Sequence, residues 1–154
     1  SDLQHNFQLD AAHYDMLTLN SASIPGLDFI STGGSLDRIT KTKTIADYDP
    51  AYKYLNVCVT AVENDSTCFK CVRTMLTLDA LGKLDKFSAV FDVQYYMNHR
   101  KRYIEKMYVD GKFGHDESLL LLFPLFKSEL TIGVKISAII HKVQNAVRCR
   151  IFKR

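Results

Sequence analysis

The chain has 154 residues, 47% hydrophobic and 24% charged, with 20 Lys and Arg against 17 Asp and Glu for a net charge of +3. That length suits one compact core and is short for two, and the composition excludes a disordered, collagenous or low-complexity chain. The slight basic excess gives no reason to expect nucleic acid or an anionic membrane as partner, and four cysteines are too few for a disulfide scaffold, pointing instead to reduced thiols or metal ligands.

The chain opens in polar sequence, Ser1-Asp2-Leu3-Gln4-His5-Asn6, with neither a basic region nor a long apolar stretch, so no targeting segment is expected. The longest apolar run, 119–126, contains Pro124 and is far shorter than the roughly 20 residues that cross a bilayer. A soluble cytoplasmic protein without a membrane segment is the expectation. The start, without an initiator Met or a first strand, reads as that of a fragment of something longer.

Residues 1–37 read as irregular, punctuated by turn signals at Asn20-Ser21, Pro25-Gly26 and Gly33-Gly34-Ser35, with a short strand over 27–32. Leu36, Ile39, Lys43 and Ala46 share one helical stripe, predicting a helix over 36–48 that stops before Asp49-Pro50. Residues 54–59 read as extended and 63–67 as a polar loop. From Cys68, the residues Val72, Met75, Leu76, Leu78 and Leu81 recur at helical spacing up to a stop at Gly82. Further helices are predicted over 91–107, ending before Asp110-Gly111, and over 117–126 with a kink at Pro124. In the last, from about Glu129, Ile132, Ile136, Ile139, Ile140, Val143 and Val147 form an apolar face and Lys135, Lys142 and Arg148 cover the rest. The expected fold is mainly α with a small β component (α+β), organised as a cysteine-bearing region, 1–110, and a helical tail, 111–154, packed on the same core, with the hinge at 111–114.

The sharpest local feature is Cys58-x9-Cys68-x2-Cys71. Two thiolates of a Cys-x-x-Cys at a helix start can point at one cation, and a third from an extended segment closes most of a tetrahedron. The fourth ligand is open between Asp65, water, Cys149 and the histidines His5, His13, His99, His115 and His141. A helix start also lowers thiol pKa and suits redox chemistry, and cysteine also serves as a small core residue.

Gly33-Gly34-Ser35-Leu36-Asp37 invites comparison with phosphate-binding glycine loops. Two residues separate Gly34 from Asp37, however, and Arg38 follows where Ser-Gly-Gly-x-Asp-Ser would close with serine, so the segment reads as a turn capping the next helix. Arg38, Lys41 and Arg73 are candidates for contact with phosphate or substrate. The basic stretch 99–102 and the tail residues Arg148, Arg150, Lys153 and Arg154 have few aromatics among them and no RNA-binding motif, so nucleic acid is not expected as a partner. No Gly-x-Ser-x-Gly elbow or His-Glu-x-x-His helix occurs.

Taken together, Arg38-Ile39-Thr40-Lys41-Thr42-Lys43-Thr44-Ile45, Leu55-Asn56-Val57-Cys58 and Asn64-Asp65-Ser66-Thr67-Cys68-Phe69-Lys70-Cys71-Val72-Arg73-Thr74 resemble the C-terminal part of PP-loop ATP pyrophosphatases related to 7-cyano-7-deazaguanine synthase. The resemblance covers residues 36–90. It implies the helical C-terminal portion of an α/β adenine-nucleotide alpha-hydrolase-like fold. Cys58, Cys68 and Cys71 match three zinc cysteines of the family, and Asp65 stands in place of the fourth. It further implies that a full-length protein, with ATP, magnesium and a small-molecule substrate, would adenylate a carboxylate-like oxygen and release pyrophosphate as an ATP-dependent ligase, with Lys41 and Arg73 near the substrate. This chain lacks the ATP-binding loop and would be inactive alone. The alternative is a helical interaction module, homodimeric through its C-terminal helices, with a structural or vestigial zinc site.

Overall fold

The computed structural model describes residues 18, 19, 21–30, 36–114 and 116–151, those from 147 onward through their backbone. Its compact units are Ser1–Lys41 and Thr42–Arg154. The first contains a tight turn, in which Ile24 and Leu27 exchange both backbone hydrogen bonds around Pro25-Gly26. Gly26 takes φ +86°, the left-handed value that a Pro-Gly turn requires. No β-strand occurs among the described residues, so the strand expected over 27–32 is reduced to that single bridge for residues 27–30. Residues 31–35, with the glycine turn, lie outside the described set.

Helix α1 spans Arg38–Ala46. Asp37 caps it: its carboxylate accepts the Thr40 amide at 2.9 Å and the Thr40 hydroxyl at 2.8 Å, and these bonds hold the Asp37 carboxyl below its ordinary pKa. The short α2, Ala51–Tyr54, follows Pro50, whose fixed φ suits a helix start. Residues 55–58, expected to be extended, form no ladder. Side-chain amides take over the backbone bonding instead: Asn64 accepts from the Val57 amide at 2.9 Å and donates to the Leu55 carbonyl at 2.7 Å. Asn and Asp compete with sheet pairing in this way.

Helix α3, Phe69–Ala80, follows the predicted apolar spacing. It ends at Gly82, φ +64°, where the Gly82 amide donates to the Asp79 carbonyl and the Lys83 amide to that of Leu78. That pair of bonds is a Schellman motif, and its left-handed residue is why a glycine stands there. A 3-10 turn, Leu84–Phe87, leads to α4, Val93–Gly114. The helix runs through Asp110-Gly111 without a hinge, contrary to expectation, because Gly111 lies on its packed face. A Cβ there would stand 3.0 Å from Phe123 Cζ and 3.4 Å from Leu119 Cβ.

Helix α5 covers only Glu117–Leu120, not the expected 117–126. Proline disfavours helix at the residue before it and cannot donate, and around Pro124 the amides of Phe123 and Leu125 donate to carbonyls three residues back. The apolar spacing survives the loss of the helix: Leu119, Leu122, Phe126 and Leu130 are all buried. Helix α6, Ile132–Ile151, then packs on α4. The core lies among α3, α4 and the 119–130 segment, where Met75, Leu76, Leu78, Phe87, Tyr96, Met107, Leu122 and Phe126 are almost fully buried.

One polar junction ties these elements together. Arg100 on α4 donates through Nε to Asp79 on α3 at 2.7 Å and through both terminal nitrogens to Glu129, the Nη2 bond being 2.8 Å. The buried Tyr96 hydroxyl donates to the same Asp79 oxygen at 2.8 Å. Arg100→Ala should destabilise the fold by about 2 kcal/mol, since it strips charge-assisted bonds from two half-buried carboxylates. Gly111→Val should cost about 1–3 kcal/mol through collision with Phe123. Urea unfolding of each variant measures both.

Candidate metal centre

The thiols of Cys58, Cys68 and Cys71 and the carboxylate of Asp65 converge at the N-terminus of α3, with one ligand atom from each lying within 4.8 Å of all the others. The group could hold a metal ion. The local sequence explains the convergence. Cys68 is the N-cap of α3, and its sulfur accepts the Cys71 amide at 3.4 Å, so the Cys-x-x-Cys spacing brings both thiols to the first turn. Asp65 folds the preceding loop onto that turn, its Oδ1 accepting the amides of Thr67 at 2.9 Å and Cys68 at 2.8 Å. Ser66 adopts a left-handed φ of 57°, and its buried hydroxyl accepts the Asp92 amide at 2.8 Å, anchoring the loop beside the start of α4.

Cys58 reaches the group from 55–58. Asn56 accepts the Cys58 amide at 3.1 Å and donates to the Val62 carbonyl, closing a small loop that presents the Cys58 sulfur 3.8 Å from that of Cys68. Two thiolates on one tetrahedral zinc, each about 2.3 Å from the ion, stand about 3.8 Å apart. That pair of sulfurs therefore already has the spacing of two zinc ligands.

Electrostatics within the group are uneven. Thr60 hydrogen-bonds to both Asp65 Oδ2 and, at 3.2 Å, Cys58 Sγ. Its hydroxyl, aided by backbone amides of the loop, brings the Cys58 thiol down to about 6. The Asp65 carboxyl is held well below the usual carboxylate range by the Thr60 hydroxyl and then by the amides of Cys68 and Thr67. Burial pushes the Cys71 thiol up, and that thiol donates weakly to Asn64 Oδ1 at 3.7 Å. Within the group, the Cys58 thiol is thus shifted down and the Cys71 thiol up.

Among the histidines, His99 bonds the Tyr95 carbonyl at 2.8 Å and His141 the buried Glu105 at 3.0 Å, and neither enters the group. His5, His13, His115 and the side chain of Cys149 lie outside the described residues. The other candidates for binding are placed as follows. Arg38 and Lys41 lie in the first turns of α1, within the N-terminal unit. Arg73 on α3 is only 9% exposed. Its Nη1 donates to Ser118 Oγ at 2.9 Å, and its guanidinium lies 4.8 Å from the Phe69 ring centre, tying α3 to α5. It also lines a cavity of about 100 Å³ with Phe69, Tyr103, Met107 and Leu119. Small-molecule sites typically enclose about 300–1,000 Å³. Thr60, Asn56, Asn64 and Ser66, which organise the metal group, escape a reading by ligand type. Their signal was the density of Asn, Asp, Ser and Thr over 56–67, the composition of side-chain-bonded turns.

No protein-family model, curated protein or solved structure matches this chain.

Loading the group with a cation expels the proton of Cys71, so metal affinity should rise with pH by about tenfold per unit for that proton alone. Protonation of Cys58 below about pH 6 adds to the loss on the acid side. Competition with a chromophoric chelator between about pH 6 and 8 measures the slope. A flat profile would exclude Cys71 as a ligand.

Proposed function

We propose that the chain is a zinc-stapled helical interaction module. The observation that carries this reading is the 3.8 Å separation of the Cys58 and Cys68 sulfurs, the spacing of two thiolates on one zinc. A majority of thiolate donors favours zinc over magnesium or calcium. With Cys58, Asp65, Cys68 and Cys71 all engaged, the tetrahedron is filled by protein, which is the form of a structural rather than a catalytic zinc. Zinc bound there would cross-link 55–68 to the first turn of α3, so that α3, α4 and α6 form a fixed scaffold. Coupled binding and folding at such sites is worth on the order of 10 kcal/mol in small domains.

Protein purified without added metal should contain close to one zinc per chain, and Cys68→Ser should remove it. A strong chelator should lower the melting temperature of the parent protein and leave that of Cys68→Ser unchanged. Asp65→Cys, which completes a four-thiolate set, should hold zinc more tightly than the parent. Metal-free protein with the parent's melting temperature would overturn the reading.

A second reading rests on the order of Lys41, Cys58, Cys68, Cys71 and Arg73, which resembles that of the PP-loop pyrophosphatases, with Asp65 in place of a fourth cysteine. Here the chain is the C-terminal wall of the substrate site in a longer ATP- and magnesium-dependent ligase of α/β parentage, and the metal group stiffens that wall. The chain alone then releases no pyrophosphate from ATP, whereas the longer protein does so when given its carboxylate substrate. Pyrophosphate release by the chain alone would contradict it.

A further inference from the structure

Helix α6 is mounted the opposite way from what its sequence favours. Its bulky apolar residues Ile132, Ile136, Ile139 and Val143 are 77%, 54%, 39% and 57% exposed, and Ile140 at their edge is 49% exposed. Among its described side chains, the one it buries is Ala138, at 1% exposure. On the α4 side it is held instead by polar and cation contacts. His141 bonds Glu105, Lys135 lies 5.9 Å from the Tyr108 ring centre, and Lys142 lies 4.5 Å from that of Phe113. The outward residues recur at spacings of four, three and four, the pattern of a seam that packs against another helix. They are all β-branched and include no aromatic residue, unlike the wide Trp-, Phe- and Leu-bearing face of a helix that lies in a lipid surface. Among the described residues, no helix is long and apolar enough to cross a membrane.

Charge narrows the occupant further. Between Ile132 and Ile151 the sequence has Lys135, Lys142, Arg148 and Arg150 and no Asp or Glu. Lys135 and Lys142 are one heptad apart, so both lie on the same border of the seam, the border next to α4, where each ammonium rests near an α4 ring. In a second copy paired antiparallel, these lysines would oppose one another; paired parallel, they would face the positions of Ile140 and Val147 and meet no carboxylate. An acid-flanked helix satisfies both the seam and its border.

We infer that the outward face of α6 is the docking surface for an amphipathic helix of another protein, one whose apolar seam is bordered by Asp or Glu. The inference deepens the interaction reading given above, and it depends on the orientation of α6 rather than on the identity of the metal. The probe is a synthetic three-heptad peptide with Ile and Leu along its seam and Glu at the flanking positions, set against the same peptide with Lys at those positions. Titrated into the full chain as purified, the Glu peptide should bind at least about tenfold tighter than the Lys peptide, a difference that shrinks as salt is added. Ile136→Lys and, separately, Val143→Lys should each weaken binding by about tenfold or more. Both positions are exposed, so helicity and melting temperature should stay at the parent's values. Zinc content measured on the same samples separates failure of this inference from failure of the metal reading. Equal affinity for the two peptides, or none for either, would overturn the inference. So would a dimer in sedimentation equilibrium that Ile136→Lys dissociates, or binding to phosphatidylglycerol vesicles that the same substitution abolishes.

Discussion

Arg100 is the point at which three separate stretches of chain meet. Its guanidinium bonds Asp79 on α3 and Glu129 ahead of α6, and its charge lies 5.7 Å from the Phe126 ring centre. Tyr96, fully buried one turn earlier on α4, adds its hydroxyl to the same Asp79 oxygen. A planar guanidinium with forked donors can serve two carboxylates at once, which a lysine cannot do with comparable geometry. The apolar core supplies the bulk of the burial, but contact among apolar groups is not directional. The angular relation of α3, α4 and the 119–130 segment is fixed where charge-assisted bonds demand alignment.

The metal group complements this arrangement at the other end of α3. Its loop has few buried apolar residues and no ladder, and it is held by side-chain amides, hydroxyls and one left-handed residue. The four convergent donors at that loop could hold a metal ion between it and the first turn of α3. The two ends of α3 are thus secured by different physics, a Schellman turn and a salt bridge at its C-terminal end and a cysteine-bearing cap at its start. With one helix held at both ends, α4 and its neighbours inherit a defined position.

Much of this was legible in the residues. The spacing of Val72, Met75, Leu76 and Leu78, with Gly82 beyond, located α3 and its stop because helix periodicity and a left-handed glycine are local properties. Cys58, Cys68 and Cys71 were legible as a group because a Cys-x-x-Cys at a helix start brings two thiols together through backbone geometry alone, whereas Asp65 was one of several candidates for the fourth ligand. What local reasoning missed has particular causes. Residues 55–58 alternate as a strand would, but a strand needs a partner, and Asn56 and Asn64 satisfied the backbone first. Gly111 reads as a helix stop, yet Phe123, twelve positions on, turns its missing Cβ into a packing requirement. The proline at 124 shortened α5 more than a kink would, since the amides of Phe123 and Leu125 on either side of it found partners three residues back.

The direction of α6 marks the same boundary. By itself the sequence determined that an amphipathic helix begins near Glu129, that three cysteines can meet, and that the chain is mainly helical, because each of these follows from spacing along the backbone. Tertiary structure alone decided which way the helix faces. Ala138 allows close approach to α4, Glu105 is buried where His141 can reach it, and the rings of Tyr108 and Phe113 receive the two lysines. Those partners are far apart in sequence from α6, so no pattern within the helix could encode that its isoleucines point outward.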